Sequence, residues 1–260
     1  MIKVAVCGAK GRMGSLIAKL VIKDEDLKLV GVTENPELKL KGKIFCEGVK
    51  FYDSVEEMEE LPEVIVDFTT PFSTLKTLES AVKLKIPMVI GTTGFSDEER
   101  KRIEEAGSSI PIVFSPNMSI GVNLLFKLVE LVAKSLKNLD YDIEILEIHH
   151  RFKKDAPSGT AMKIGEIVAN VMGKDISTVG VFGRKGIIGE RKKDEVGIMA
   201  LRMGDIVGEH RIFFSTIGET IELSHRATSR ETFAKGAITA TKWIKGKPPG
   251  IYTMQDVLEG

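Results

Sequence analysis

The sequence predicts an α/β chain in two parts: a parallel-sheet part covered on both faces, then an α+β part. Three observations predict it. Through roughly the first 115 residues, β-type apolar runs alternate with helix-type stretches, the order of a parallel sheet with helical crossovers. A glycine-rich turn follows the first of these runs directly. Beyond residue 120 the order changes to a long helix, a strand, a helix, strands with glycine punctuation and a last helix.

Taken in order, Ile2–Cys7 is a short strand-like run, and Ser15–Ile22 is amphipathic. Leu27–Thr33 is rich in Val and Leu and reads as a strand, as does Val64–Phe68. Ser73–Leu84 reads as a helix, and Met88–Ile90 as a short strand running into Gly91. Ser96 opens a helix with Asp97, Glu98 and Glu99 in its first turn, where the helix dipole favours acids. Pro111–Phe114 closes the series. In the second part, Asn123–Leu136 reads as a helix with Leu124, Leu128, Leu131 and Val132 on its apolar side. Asp142–Ile148 alternates as a strand, and Thr160–Met172 reads as a helix. Glu195–His210 and Arg211–Ser224 read as strands, and Thr232–Ile244 as a helix. The expected division is residues 1–119 as a dinucleotide-binding domain, rejoined by 231–260, with 120–230 as a substrate-binding and oligomerisation domain.

Composition narrows the function classes. The 260 residues hold 37 Lys+Arg and 37 Asp+Glu, which excludes a globally basic nucleic-acid binder and an acidic disordered tail. Two cysteines, Cys7 and Cys46, are too few for a disulfide scaffold. No window approaches 18 uninterrupted apolar residues, and Met1–Val6 shows no basic region leading into a long apolar stretch. A cytoplasmic setting without nucleic acid or membrane partners is expected. The charge balance hides an uneven distribution. Residues 1–119 carry 16 basic and 19 acidic side chains, the remainder 21 and 18, and all four histidines lie beyond residue 148.

The turn Gly8-Ala9-Lys10-Gly11-Arg12-Met13-Gly14 follows the first strand and opens the first helix. Glycines there permit a tight turn and let backbone N–H groups approach a pyrophosphate at a helix N-terminus. The spacing is GxxGxxG, and the structural alternative is a plain strand-ending turn. Glu34 lies 20 residues after Gly14, at the end of the second strand, where a carboxylate accepts from ribose hydroxyls. Together they point to a dinucleotide. Asn35 follows Glu34, where an arginine would answer a 2′-phosphate; Arg12 or the lysines at 39, 41 and 43 can compensate, so NADPH use stays open, and NADH is expected to bind at least as well. Gly91-Thr92-Thr93-Gly94 and Ser115-Pro116-Asn117-Met118 each follow a strand and are candidate cofactor-lining loops; the alternative for each is a turn before a helix.

The segment from Glu147 to Thr160 is the densest chemistry in the chain. His149 and His150 are adjacent and, in a strand, point to opposite faces. A histidine titrating near neutrality with Lys153 across a turn suits general acid work. Ser158, Gly159 and Thr160 at a helix start form an anion site of N–H groups and hydroxyls. Arg151, Lys153 and Lys154 against Asp155 leave a net positive segment suited to a dicarboxylate. No spaced Cys, His and carboxylate set completes a coordination sphere, so no metal is expected. The alternative is a solvated basic loop with an ordinary N-cap at Ser158.

These residues resemble the dihydrodipicolinate reductase (4-hydroxy-tetrahydrodipicolinate reductase) family over nearly the whole chain. Glu147–Thr160 is similar to the family pattern E-x-H-H-R-x-K-x-D-A-P-S-G-T. GAKGRMG at 8–14, DFT at 67–69, GTTGF at 91–95, the run 115–123, GDIVGEH at 204–210 and SHRATSR at 224–230 accompany it. The resemblance implies a Rossmann-like first domain, a second domain whose sheet builds a homotetramer, and hydride transfer from NADH or NADPH to a cyclic imine dicarboxylate with loss of water. It implies His149 as general acid/base, Lys153 as proton donor, and His150, Gly159 and Thr160 as substrate ligands. Cofactor contacts are implied at Gly8, Ala9, Lys10, Gly11, Arg12, Met13, Glu34, Gly91, Thr92, Thr93, Ser115, Pro116, Asn117 and Met118. Phe152, Asn35 and Met118 depart from residues common in the family. A different two-domain nicotinamide reductase of a small acid leaves the Glu147–Thr160 pattern unexplained. A nicotinamide-sensing regulator requires a nucleic-acid-binding module that the sequence lacks.

Overall fold

The computed structural model describes residues 1–260. The chain runs β1 (Ile2–Cys7), α1 (Arg12–Lys23), β2 (Leu27–Thr33), β3 (Ile44–Cys46), β4 (Val49–Tyr52), β5 (Val64–Asp67), α2 (Pro71–Leu84), β6 (Met88–Ile90), α3 (Asp97–Ala106) and β7 (Pro111–Phe114). Then follow α4 (Ile120–Leu136), β8 (Asp142–His149), α5 (Gly159–Met172), α6 (Ile176–Val179), β9 (Gly180–Val181), β10 (Val196–Arg202), β11 (Gly208–Thr216) and β12 (Glu219–Ala227). It ends with α7 (Glu231–Ile244), β13 (Gly250–Tyr252) and α8 (Met254–Glu259). Two compact units emerge, one of residues 1–120 with 231–260 and one of residues 121–230.

Unit 1 is an eight-stranded sheet in the order β13-β7-β6-β5-β1-β2-β4-β3, parallel except for β3 against β4. The chain leaves β1 for β2 on one side and later returns to β5 on the other. That reversal is the topological switch point, where ligands of open parallel sheets bind beyond the strand C-termini. Consecutive buried residues such as Val4, Ala5, Val6 and Cys7 serve two cores, one on each face, because helices cover both sides. Ser96 caps α3 in a full capping box with Glu99, as the acidic first turn predicts. The returning α7 adds Ala234, Ala237, Ala240 and Ile244 to the core that holds α1.

Unit 2 is a five-stranded mixed sheet, β12-β11-β8-β10-β9. β8 is parallel to β10 and antiparallel to β11, and β11 and β12 form a hairpin. On β8 the odd positions Ile143, Ile145, Glu147 and His149 are buried while the residues between them are partly exposed. Register aligns Ile143 with Val196 and Phe214, and Ile145 with Ile198 and Ile212. Val122, Leu125, Phe126, Val129, Ala161, Ile164 and Val168 from α4 and α5 pack on this face.

Two expectations for unit 2 are corrected. Three of the four residues assigned to the apolar side of α4 lie outward: Leu124 is 50%, Leu128 39% and Leu131 61% exposed, while Val132 packs against the core. The buried stripe is Val122, Leu125, Phe126, Val129 and Ala133, which has the same helical spacing. The stretch 195–224 makes three strands rather than two. Turns at 203–207 and 217–218 fall at Gly204 and Gly218, both with positive φ, and so set the strand boundaries.

Candidate functional site

In unit 1 the glycine turn is tight and packs closely against the start of α1. Gly8 has φ of +72°, and its N–H donates to the Thr33 carbonyl at 2.9 Å. A Cβ on Gly14 would lie 2.1 Å from the Gly8 carbonyl oxygen, so α1 meets the turn too closely for any side chain. Ala9 faces the core, Met13 packs at its edge, and Lys10, Gly11 and Arg12 are exposed. The Glu34 carboxylate sits against the turn, accepting from the Lys10 N–H at 2.7 Å and the Asn35 N–H at 3.0 Å. A glycine cradle beside a carboxylate at the end of β2 fits a dinucleotide.

The two further loops divide between outward and inward groups. Thr93 is exposed, but Thr92 is buried, and its hydroxyl lies among Thr74 and Asp67. Ser115 is buried and donates to the Asn117 carbonyl at 2.9 Å, while Pro116 is exposed. Met118 is a core residue of unit 1, and its carbonyl packs where a Cβ on Gly236 would be.

In unit 2 the helix-covered face of the sheet changes character along the strands. After the two apolar rows comes Ala200–Glu147–His210, and then Arg202 beside His149. Glu147 is fully buried. One of its oxygens pairs with His149 Nδ1 at 2.5 Å and with Arg202 at 2.8 Å; the other accepts from Arg202 at 2.7 Å and the Ser158 N–H at 2.9 Å. Burial alone would push this carboxyl up, but the bonds from His149, Arg202 and Ser158 outweigh it and hold it down at about 2. Glu147 fixes the His149 ring through Nδ1, so Nε2 faces away from the carboxylate. That nitrogen lies 2.9 Å from where a Cβ on Gly208 would be.

Beside it, His210 is buried and stands edge-on to His149, with ring centroids 5.3 Å apart. Its Nε2 meets Ser158 Oγ at 3.1 Å. Burial, and then the neighbouring charge of His149, push His210 down to about 3, so it is neutral at physiological pH.

The loop after β8 carries Lys153, whose Nζ pairs with Asp155 at 2.9 Å. Arg202 also donates to the Asp155 carbonyl, so one guanidinium ties this loop to Glu147. Ser158 caps α5, its Oγ accepting from the Ala161 N–H at 3.2 Å. Both Ser158 polar groups are therefore engaged in building the site. Gly159 at the first turn has open space around it, and Thr160 follows it in the same turn. His150 stands next to the exposed Phe152, with ring centroids 6.2 Å apart.

Glu147, Arg202, Gly208 and His210 were not singled out from sequence. Glu147 had a signal: it stands two residues before His149 in an alternating strand, on the same face as Ile143 and Ile145. Arg202 and His210 come from other strands and needed the register.

A pH dependence follows. Glu147 titrates near 2 when folded against an ordinary 4.5, and His210 near 3 against 6.5. In both intervals the unfolded chain holds more protons, so stability falls as pH drops from 6.5 towards 2. Each group contributes a slope of up to about 1.4 kcal/mol per pH unit in its own interval. Thermal melts between pH 4 and 7 are expected to show a steep loss on acidification. The loss is expected to be shallower in His210→Gln; an unchanged slope in that variant would contradict the assignment to His210.

Comparison with known proteins agrees with this geometry. The family model described as dihydrodipicolinate reductase, N-terminus, matches residues 2–118, and the corresponding C-terminus model matches residues 121–258. The chain is 50% identical over 265 aligned positions to the 4-hydroxy-tetrahydrodipicolinate reductase of Aquifex aeolicus, covering 99% of this chain and 98% of that protein. It is 46% identical to the reductase of the same name from Syntrophus aciditrophicus, with the same coverage. Among solved structures, dipicolinate-bound dihydrodipicolinate reductase from Paenisporosarcina sp. TG-14 superposes with a TM-score of 0.77 at 25% identity, covering 97% of both chains. The parallel-sheet domain, the α+β domain and the Glu147–Thr160 segment are thus those of one lineage, and the chain belongs to the 4-hydroxy-tetrahydrodipicolinate reductase family, NAD(P)H-dependent oxidoreductases of lysine biosynthesis.

Proposed function

We propose that the chain reduces (2S,4S)-4-hydroxy-2,3,4,5-tetrahydrodipicolinate to tetrahydrodipicolinate, consuming NAD(P)H and a proton and releasing NAD(P)⁺ and water. The observation that carries this reading is the end of β8, where Glu147 orients His149 beside the N-terminus of α5 and the Lys153 loop. A dicarboxylate suits that end of unit 2. The Gly159–Thr160 turn offers a helix N-terminus to one carboxylate, and Lys153 and His150 offer polar partners to the other. The dipicolinate held by the Paenisporosarcina relative is a ligand of this kind.

When bound, the dihydronicotinamide supplies the hydride. Loss of the 4-hydroxyl with a C5 proton as water leaves C4=C5 conjugated with the C=N; hydride addition at C4 then leaves negative charge shared by nitrogen and C5, where the consumed proton is taken up. A cation beside those atoms stabilises the transition state. Lys153 is the proton donor in this reading, and His149, through Nε2, is the general acid/base. Lys153→Ala is expected to lower kcat by about 10²–10⁴ with little change in NADH dissociation. Unaltered kcat in a folded variant would remove Lys153 from the role.

In unit 1, the 8–14 turn takes the pyrophosphate and Glu34 the adenosine ribose. Asn35 offers no charge to a 2′-phosphate, so NADH is the expected equal or better cofactor. Assembly as a homotetramer and a cytoplasmic location complete the reading. The test is nucleotide oxidation coupled to the condensation of pyruvate with aspartate semialdehyde, with NADH and NADPH compared. Turnover with NADH at least matching NADPH is expected. A folded protein inactive with both would overturn the assignment, and a strong NADPH preference would overturn the reading of Asn35.

A further inference from the structure

The residue at the switch point of unit 1's sheet that the reaction has not used is Asp67. It ends β5, paired in register with Cys7 at the end of β1 and with Ile90 at the end of β6. It is fully buried. Its Oδ1 accepts from the Thr69 N–H at 3.0 Å and Thr69 Oγ1 at 2.6 Å, and lies 2.9 Å from Thr74 Oγ1 and 3.2 Å from Thr92 Oγ1, whose hydroxyl protons are shared within the cluster. Its Oδ2 is buried with no hydrogen-bond partner.

Each threonine belongs to a different piece of the cofactor side of the sheet. Thr69 lies in the turn after β5, and a Cβ on Gly8 would fall 2.7 Å from its methyl carbon, so Thr69 braces the glycine turn from below. Thr92 belongs to the 91–94 loop, and its hydroxyl also accepts from the Thr69 N–H at 3.0 Å. Thr74 sits in the first turns of α2 and donates to Thr92 at 2.8 Å. The backbone repeats the link, with the Gly91 N–H donating to the Asp67 carbonyl at 3.0 Å. Burial, and then the nearby Asp67 charge, raise the Cys7 thiol, which places the carboxylate against the end of β1 as well.

A carboxylate buried with one oxygen unanswered carries a desolvation cost that an apolar residue at the end of β5 would avoid. An acceptor-only group is nevertheless the one side chain that takes several hydroxyl and N–H donors at one point. We infer that Asp67 is a positioning residue for the nicotinamide cofactor, holding the 8–14 turn through Thr69 and the 91–94 loop through Thr92 in the conformation that receives the dinucleotide. This rests on the reading that these two loops bind the cofactor.

The test is direct NADH titration, by fluorescence, of wild type, Asp67→Asn, Thr92→Val, Thr92→Ser and the Asp67→Asn/Thr92→Val double variant. Dipicolinate affinity and thermal melts are measured on the same samples. Losing a hydrogen bond to a charged group should raise the NADH Kd about tenfold or more in Asp67→Asn and Thr92→Val. Thr92→Ser, which keeps the hydroxyl, should stay within about twofold of wild type. The double variant should bind no worse than the weaker single, because both act through one contact. Dipicolinate affinity should not move. A melting shift with unchanged NADH Kd in Asp67→Asn would make Asp67 a stability residue and overturn the inference. Effects that multiply in the double variant would also overturn it. If Asp67→Asn does not fold, Thr92→Val and Thr92→Ser decide: equal affinities overturn the inference. A wild type that does not bind NADH overturns the cofactor reading itself, whereas tight wild-type binding with insensitive variants overturns only the role of Asp67.

Discussion

His149→Gln is expected to lower kcat by about 10²–10⁴ while leaving NADH affinity near the wild-type value. Glutamine can still place an amide near Glu147, so the pocket keeps its shape, but it has no nitrogen that exchanges a proton near neutral pH. The surroundings of the wild-type imidazole fix its position. Glu147 holds Nδ1, Gly208 leaves room at Nε2, and His210 stays neutral beside it. The loss should therefore fall on kcat. Rapid-mixing kinetics with NADH fluorescence separates the two quantities; a variant with intact turnover, or one that loses NADH binding instead, would contradict the role.

Glu147→Ala is expected to be strongly destabilising. It removes the partner of Arg202, the Ser158 N–H and His149 Nδ1 at once. Breaking a buried pair from one side costs about 3–5 kcal/mol, and the 19% exposure of the Arg202 side chain argues for the lower end. For a chain of this size that is a Tm fall of roughly 6–12 °C. Glu147→Gln keeps the shape and isolates the electrostatics. It should melt closer to wild type and yet lose activity by about 10–100-fold, because the amide no longer anchors the imidazole as a carboxylate does. Differential scanning calorimetry and steady-state kinetics on the pair check this. A Glu147→Gln enzyme with wild-type kcat would show that the Glu147–His149 contact is structural alone.

Much of the framework was legible from residues because local rules and tertiary packing agreed. β1, β2, β6 and β7 begin and end where the apolar runs do, and α3 begins where Ser96 and three acids put it. α4 was misfaced for a physical reason: it is apolar on nearly every side, so two stripes of identical period compete and only the partner sheet chooses. The short strands β3 and β4, with their flanking turns, carry too few residues for a period to register. For the candidate site, His149, Lys153 and the Ser158–Thr160 turn were visible because they lie together in sequence. Glu147 carries a charge on the core face of a strand, a signal that the sequence reading did not use. Arg202 and His210 belong to neighbouring strands, and Asp67 to the middle of another sheet. Their partnerships are made by register, which composition and spacing do not encode.

In the proposed reaction the hydroxyl leaves as water and a hydride from the nicotinamide enters the cyclic dicarboxylate in its place. A single turnover with NADH carrying deuterium at the transferable C4 position, followed by mass analysis of the product, tests it most directly. The expected product is tetrahydrodipicolinate that contains the deuterium and has lost the hydroxyl. NADH oxidised without deuterium in the product, or a reduced product that retains the hydroxyl, would contradict it.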